Sequence, residues 1–319
     1  MLEPLQRLAE RAVAHYALPD DVAVSMINLS ENATYRVQAK DGRKWALRIH
    51  REGYHSKAAI ASELAWLSDL RAQGVVVTPR PVKGIDGELI QTVAGRFVVL
   101  SDWETGAEPG IDQDLRKPFE ILGEVTARMH AHAKGWPRPH YFERFTWDFD
   151  TSLGDAKPHW GRWQDGMGID AAANKLFART IENIGRRLAI FGKEEQRFGL
   201  VHGDLRLANL LIDGQAVKVI DFDDCGFGWY MYDAATPVSF YEHEPQVPDL
   251  IEAWKTGYRK VSVLSKADET EIPTFVMLRR LLLVAWIGSH SETDLAKSMG
   301  VPYTEGTVGL CENYLSRFG

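Results

Sequence analysis

The most restrictive feature of the chain is a pair of apolar runs that carry polar residues at fixed positions. They are Leu200-Val-His-Gly-Asp-Leu-Arg-Leu-Ala-Asn-Leu-Leu-Ile212 and Val217-Lys-Val-Ile-Asp-Phe-Asp-Asp224. The first sets Asp204 and Asn209 five residues apart, and the second ends an apolar run on Asp221. Asp213-Gly214, between them, reads as a hairpin turn, so the flanking runs read as strands. Asp and Asn favour turns because they bond their own backbone, and any one of these residues alone is an ordinary turn residue. Two such patterns in order, each beside a strand-like run, are not explained that way.

Phosphoryl transfer asks for positioning and charge neutralisation more than for covalent chemistry, and these residue types fit that demand. Asp204 is the candidate acceptor for the proton of an attacking hydroxyl, since a general base must reach its proton directly. Mg²⁺ takes oxygen ligands, commonly one or two protein carboxylates together with phosphate oxygens. Asn209 and Asp221 supply such oxygens. Arg206 stands where it would offset charge on the transferring group, and His202 is expected to tie the loop through its ring nitrogens. Protein kinases use the same Asp-x-x-x-x-Asn spacing followed by Asp-Phe-Gly. Here the second motif reads Asp221-Phe222-Asp223.

The wording His202-Gly203-Asp204, where most protein kinases write His-Arg-Asp, and the later Tyr232-Asp233-Ala234-Ala235 resemble the aminoglycoside phosphotransferase superfamily. That group includes choline kinases, type II homoserine kinases and a bacterial stress-response Ser/Thr kinase. The resemblance implies a bilobal, protein-kinase-like α+β fold with a small antiparallel β-rich N-lobe and a large, mostly helical C-lobe. It implies ATP and Mg²⁺ as cofactors and transfer of the γ-phosphate to a hydroxyl group. It also implies that Asp233 props the catalytic loop from below.

The lobes are expected at 1–102 and 111–319, joined by a linker at 103–110. In the first, a helix to about Leu18 precedes strands at 22–29, 34–39 and 44–50, with Asp41-Gly42 as a hairpin turn. A helix at 55–73 stops at Gly74, and two strands follow at 88–93 and 96–101. The turn Leu29-Ser30-Glu31-Asn32 takes the place of a phosphate loop without a Gly-rich pattern, and Ser30 and Asn32 are its candidate nucleotide contacts. Arg48 stands where kinases carry a strand Lys on the α- and β-phosphates, with Glu63 as its ion-pair partner. Arg in place of Lys keeps the charge and adds a planar fork. Asp102, Trp103 and Glu104 open the linker, where a kinase binds adenine through backbone groups. Helices are expected at 115–133, 171–191, 248–264, 271–289 and 304–318. The aromatic-rich stretch 135–165 reads as an insertion covering part of the C-lobe. His130 and His132, two apart, do not share a helix face and are expected to be structural.

A net charge of -7 gives no basic face for nucleic acid. Cys225 and Cys311 are too few for a disulfide framework. The run 281–287 is too short to span a bilayer and the N-terminus lacks a signal-peptide core, so no membrane partner is expected and the chain reads as cytoplasmic. Asp223, Asp224, Trp229 and Tyr230 are candidates for an acidic, aromatic pocket that takes a cationic, hydroxyl-bearing acceptor. A small-molecule kinase is the preferred reading. A Ser/Thr protein kinase and a nucleotide-binding pseudokinase are the alternatives.

Overall fold

The computed structural model describes residues 2–29, 32–155 and 158–319. The chain divides into two compact units. One comprises Met1–Gly106 with Pro137–Arg144, the other Ala107–Trp136 with Phe145–Gly319. The first boundary falls inside the expected linker. Ala107 exchanges both backbone hydrogen bonds with Ile212, at 2.9 Å each, so the chain belongs to the second unit from there on. Residues 137–144 return to the first unit, which corrects the reading of 135–165 as a C-lobe insertion throughout.

The first unit is a sheet between two helices. Its elements are α1 (Leu2–Ala12), β1 (Ala23–Leu29), β2 (Ala33–Gln38), β3 (Lys44–Ile49), α2 (Lys57–Ala72), β4 (Pro81–Val82), β5 (Gln91–Val93) and β6 (Arg96–Asp102). The strand order is β1-β2-β3-β6-β4, with β5 also on β6, and every pairing is antiparallel. Side chains alternate across a strand, and β6 serves both faces. Val98 and Leu100 join Ala9, Tyr35 and Leu47 in one core, while Val99 joins Ile60 and Leu64 of α2 in the other. Ser56 caps α2 by accepting the Ala59 N–H at 2.9 Å. Gly74, at φ +67°, ends it in the left-handed conformation that glycine takes without a Cβ penalty.

The second unit carries the helices α3 (Arg116–Gly135), α4 (Phe149–Ser152), α5 (Ala171–Phe191), α6 (Tyr232–Ala235), α7 (Val247–Tyr258), α8 (Lys266–Ser289) and α9 (Asp294–Phe318). Its strands are β7 (Phe145–Trp147), β8 (Phe198–Val201), β9 (Leu210–Asp213), β10 (Ala216–Val219) and β11 (Gly226–Trp229). β9 and β10 form a hairpin, and β11 lies between β7 and β8. Helices α3 and α7 cross with backbones in contact. A Cβ on Gly123 would overlap the Trp254 carbonyl, and one on Gly257 the Glu120 carbonyl.

Four helix boundaries differ from expectation, the first being that of α1, which ends at Ala12 rather than near Leu18. α7 ends at Tyr258, and α8 starts at Lys266, because Ser265 and Asp268 form a capping box. α9 begins ten residues early, at Asp294 rather than 304, and is broken at Gly300, whose φ is +50°. Helix α8 is long and apolar enough to cross a membrane, the one such helix among the described residues, but most of its apolar stretch is packed inside this unit. Two arginines, Arg279 and Arg280, are buried in its middle.

Candidate active site

The catalytic loop follows β8 and is held from beneath by one carboxylate. Asp233, at the start of α6, accepts the backbone N–H groups of His202 at 2.9 Å and Gly203 at 2.8 Å. His130 Nε2, from α3, lies 3.0 Å from the same carboxylate. Thr236 Oγ1 accepts the Leu205 N–H at 3.0 Å. The His202 ring does tie the loop: Nδ1 accepts the Asp204 N–H at 3.2 Å, and Nε2 donates to the Ile220 carbonyl at 3.3 Å. Gly203 has φ +81°, and a Cβ there would stand 2.8 Å from the Asp224 carbonyl oxygen. Both the dihedral and the space demand glycine at this place.

Asp204 projects from this loop, nearly buried. Its Oδ2 accepts Asn209 Nδ2 at 2.7 Å and Arg206 Nε at 3.1 Å, and its Oδ1 accepts an Nη of Arg279. Burial by itself would raise the carboxyl's pKa. The Arg279 and Arg206 guanidiniums and His202 outweigh it and hold Asp204 below the usual carboxylate range.

The β9–β10 hairpin brings the second motif back to the first. Leu210 pairs with Val219, and the Ile220 N–H donates to the Asn209 carbonyl at 2.9 Å, so Asp221 emerges beside Asn209. Asp221 is solvent-exposed and sits at φ +60°, in the left-handed region that Asp enters more readily than most non-glycine residues. Its charge is close enough to strengthen the Arg206 guanidinium's hold on its proton, alongside Asp204. The Asn209 amide nitrogen is committed to Asp204, both side chain and carbonyl. That leaves Oδ1 as its ligand-type oxygen, in a loop whose backbone is bonded to the residue just before Asp221. An amide oxygen beside a carboxylate is a donor set suited to Mg²⁺.

Within the first unit, Arg48 of β3 is ion-paired with Glu63 of α2, whose side chain is 1% exposed. Asn32 Oδ1 accepts the Arg51 N–H at 3.0 Å, which fixes the strand exit rather than presenting the side chain outward. Ser30 lies outside the described residues. The Asp102 carboxylate pairs with Arg80 at 2.7 Å, and Glu104 pairs with Arg71 at 2.7 Å. Both carboxylates are thus engaged in tying down the end of β6. Trp103 is half-buried between them.

The expected acceptor pocket needs correction. Asp223 is buried and Asp224 half-buried beside the catalytic loop, where the Trp147 indole N–H donates to the Asp224 carbonyl at 2.7 Å. Trp229 and Tyr230 are elsewhere, in the packed interior. Trp229 donates to the Gly192 carbonyl at 2.7 Å and packs on Phe198 and Phe275. Tyr230 packs tilted against His130, with Lys134 over its ring. Both rings follow β11 to the side of the loop that carries its supports. Trp160 and Tyr232 are instead grouped around Arg279, whose guanidinium reaches Asp204. Sequence reading missed Arg279 as a member of the site. The signal was present, since an Arg inside a buried apolar helix requires an acid partner.

The Asp204–Asn209 loop with Asp221 in the second unit, and the strand cation paired with a helix glutamate in the first, are each what is expected of a kinase-like α+β phosphotransferase. The model of the phosphotransferase enzyme family (APH) matches residues 27–264, and the chain belongs to that family. A solved microcompartment-associated aminopropanol kinase is 44% identical, with a TM-score of 0.90 over 98% of each chain. Amicoumacin kinase of Bacillus subtilis (strain 168) is 28% identical over 307 residues, 91% of this chain and 86% of the relative. A solved amicoumacin kinase in complex with AMP-PNP, Ca²⁺ and Ami has the same fold, with 21% identity and a TM-score of 0.78 over 97% of this chain and 96% of its own. The chain is a small-molecule kinase of this family.

Proposed function

We propose that the protein transfers the γ-phosphate of ATP, with Mg²⁺, to the hydroxyl of a small amino alcohol such as aminopropanol. The observation that carries this reading is the grouping of Asp204, Asn209 and Asp221 in a chain 44% identical to an aminopropanol kinase. A hydroxy amino acid such as homoserine, or an aminoglycoside-like compound, belongs to the same acceptor class. The similarity to an aminopropanol kinase and an amicoumacin kinase, with Asp204, Asn209 and Asp221 all present in the chain, favours a small-molecule acceptor over a protein acceptor and an active kinase over a pseudokinase.

Asn209 Oδ1 and the Asp221 carboxylate would hold the metal, which when bound neutralises phosphate oxygens. Arg48, kept in place by Glu63, supplies a cation for the α- and β-phosphates. Asp204 orients the acceptor hydroxyl and receives its proton. The hydroxyl oxygen forms its bond to the γ-phosphorus as the bond from that phosphorus to the departing ADP oxygen breaks. Arg206 offsets charge on the phosphoryl group. Asp223 and Asp224 lend the acceptor side a negative field that favours an ammonium group.

The reading is tested by following ADP release and ³¹P spectra with Mg·ATP and aminopropanol, choline, homoserine, an aminoglycoside or casein. The expected product is an O-phosphorylated amino alcohol, formed one for one with ADP. Turnover of homoserine or casein with none on either amino alcohol would replace this reading.

A further inference from the structure

Arg279 is buried to 2% exposure in the apolar middle of α8, yet its guanidinium reaches the catalytic loop at Asp204 and Gly203. Nε donates to Ser239 Oγ at 3.1 Å. One Nη donates to the Tyr232 hydroxyl at 3.1 Å and lies 3.5 Å from the Gly203 carbonyl. The other Nη donates to Asp204 Oδ1. The Trp160 ring, 5.0 Å from the guanidinium carbon, covers the group. A buried ion pair of this kind is rarely the cheapest way to fill a core, since apolar residues of similar volume often stabilise as well or better. Its neighbour offers a contrast. Arg280 pairs with the buried Glu242 and binds Thr307 and the Tyr303 carbonyl, all remote from the loop in sequence and in bonding.

The division of donors over the Asp204 carboxylate is uneven. Oδ2 receives two, from Asn209 and Arg206, and Oδ1 receives Arg279 alone. A carboxylate has about four lone-pair sites, two on each oxygen. Its remaining capacity therefore lies on Oδ1, the oxygen that Arg279 orients.

We propose that Arg279 is a positioning residue for the transfer step: it fixes the plane of the Asp204 carboxylate so that Oδ1 meets the acceptor hydroxyl. Tyr232 and Ser239 hold the guanidinium in that orientation. The proposal rests on the reading of Asp204 as the group that receives the hydroxyl proton. Arg279 itself gains and loses no proton.

The test compares Tyr232→Phe, Arg279→Lys and Arg279→Met by steady-state kinetics with Mg·ATP and aminopropanol. Tyr232→Phe removes one acceptor and keeps the ion pair, so folding is preserved. It is expected to lower kcat several-fold, with both KM values within about twofold and the melting temperature little changed, the pattern of an interaction realised only in the transition state. Arg279→Lys, with the charge but not the planar fork, is expected to lose about tenfold in kcat, and Arg279→Met about a hundredfold or more. Hydrolysis of Mg·ATP with water as the acceptor is measured in parallel, with Asp204→Asn setting its floor. If wild type ignores aminopropanol, the function reading fails, and the hydrolysis rates alone judge Arg279 by the same ranking. Wild-type kcat in both Tyr232→Phe and Arg279→Lys would overturn the proposal, as would losses that appear only in the KM for ATP.

Discussion

His130 and Asp233 form a buried pair, with Nε2 of the imidazole 3.0 Å from Oδ2 of the carboxylate, and Asp233 is the group that accepts the His202 and Gly203 N–H donors. The opposite ring nitrogen lies 3.1 Å from the Tyr258 hydroxyl. A neutral ring that donates from Nε2 and accepts at Nδ1 satisfies both partners. Burial depresses the His130 pKa, and Lys134 adds to the effect, while Asp233 opposes it. With the folded value below the unfolded one, the contribution to stability is complete above the ordinary histidine pKa. It is lost as pH falls through that value toward the depressed one. His130→Phe is expected to cost about 1–3 kcal/mol at neutral pH and to flatten this acid-side loss. Denaturant melts of both proteins between pH 7.5 and pH 5 measure the difference; equal slopes would refute it.

Asp204→Asn is expected to reduce kcat by about 10²–10⁴-fold while leaving the affinity for Mg·ATP near wild type. In the proposed mechanism Asp204 serves the acceptor hydroxyl, whereas Asn209 and Asp221 would supply the metal-type oxygens. Isothermal titration with a non-hydrolysable ATP analogue separates the two effects. A collapse of nucleotide affinity in this variant would reassign Asp204 to the metal.

Mg·ATP at about 100 times its dissociation constant should stabilise the native protein by roughly 2.7 kcal/mol. Asp221→Ala should lose the part of that shift that depends on Mg²⁺, together with activity. Thermal melts with ATP alone and with Mg·ATP provide the comparison. An unchanged metal-dependent shift in the variant would show that Asp221 does not hold the ion.

Arg48→Lys and Arg48→Ala should differ in stability as well as in turnover. Glu63 is almost wholly buried against Arg48, so Arg48→Ala strands a buried carboxylate, a change that costs about 3–5 kcal/mol when a buried pair is broken. Lys retains the charge and is expected to keep measurable activity and most of the stability. Chemical denaturation and nucleotide titration of both variants decide this, and a wild-type-like Arg48→Ala would remove Arg48 from the phosphate-binding role.

The local part of the site was legible because short-range rules write it. Asp204, Asn209 and Asp221 sit within one loop and one Asp-Gly hairpin, and strand alternation and turn chemistry are enough to bring them together. The antiparallel sheet and α2 with its Gly74 stop follow from the same rules. Arg279 is different, because its partner lies 75 residues away and nothing in the periodicity of α8 says which acid it meets. Trp229 and Tyr230 were drawn to the acceptor side by nearness in sequence to Asp221. Trp229 ends β11 and Tyr230 follows it, and the strand, whose Gly226 and Gly228 pack against Phe145, Trp147 and Val201, carries both away. α9 starts well before the expected 304 because Gly300, at φ +50° with Pro302 just after it, only breaks the helix between two stretches.

The reciprocal fit of Gly123 and Gly257 makes the α3–α7 crossing a gauge for distant chemistry. α3 carries His130 and α7 carries Tyr258, the two groups joined by the ring nitrogen and the hydroxyl. With each helix backbone resting on the other's carbonyls, neither can slide to accommodate a larger side chain. A single methyl at either glycine would push the helices apart and lengthen the chain of bonds from Tyr258 through His130 and Asp233 to the amides beneath Asp204. Gly123 and Gly257 thereby help set the height of the catalytic loop, and replacing either should cost stability and turnover together.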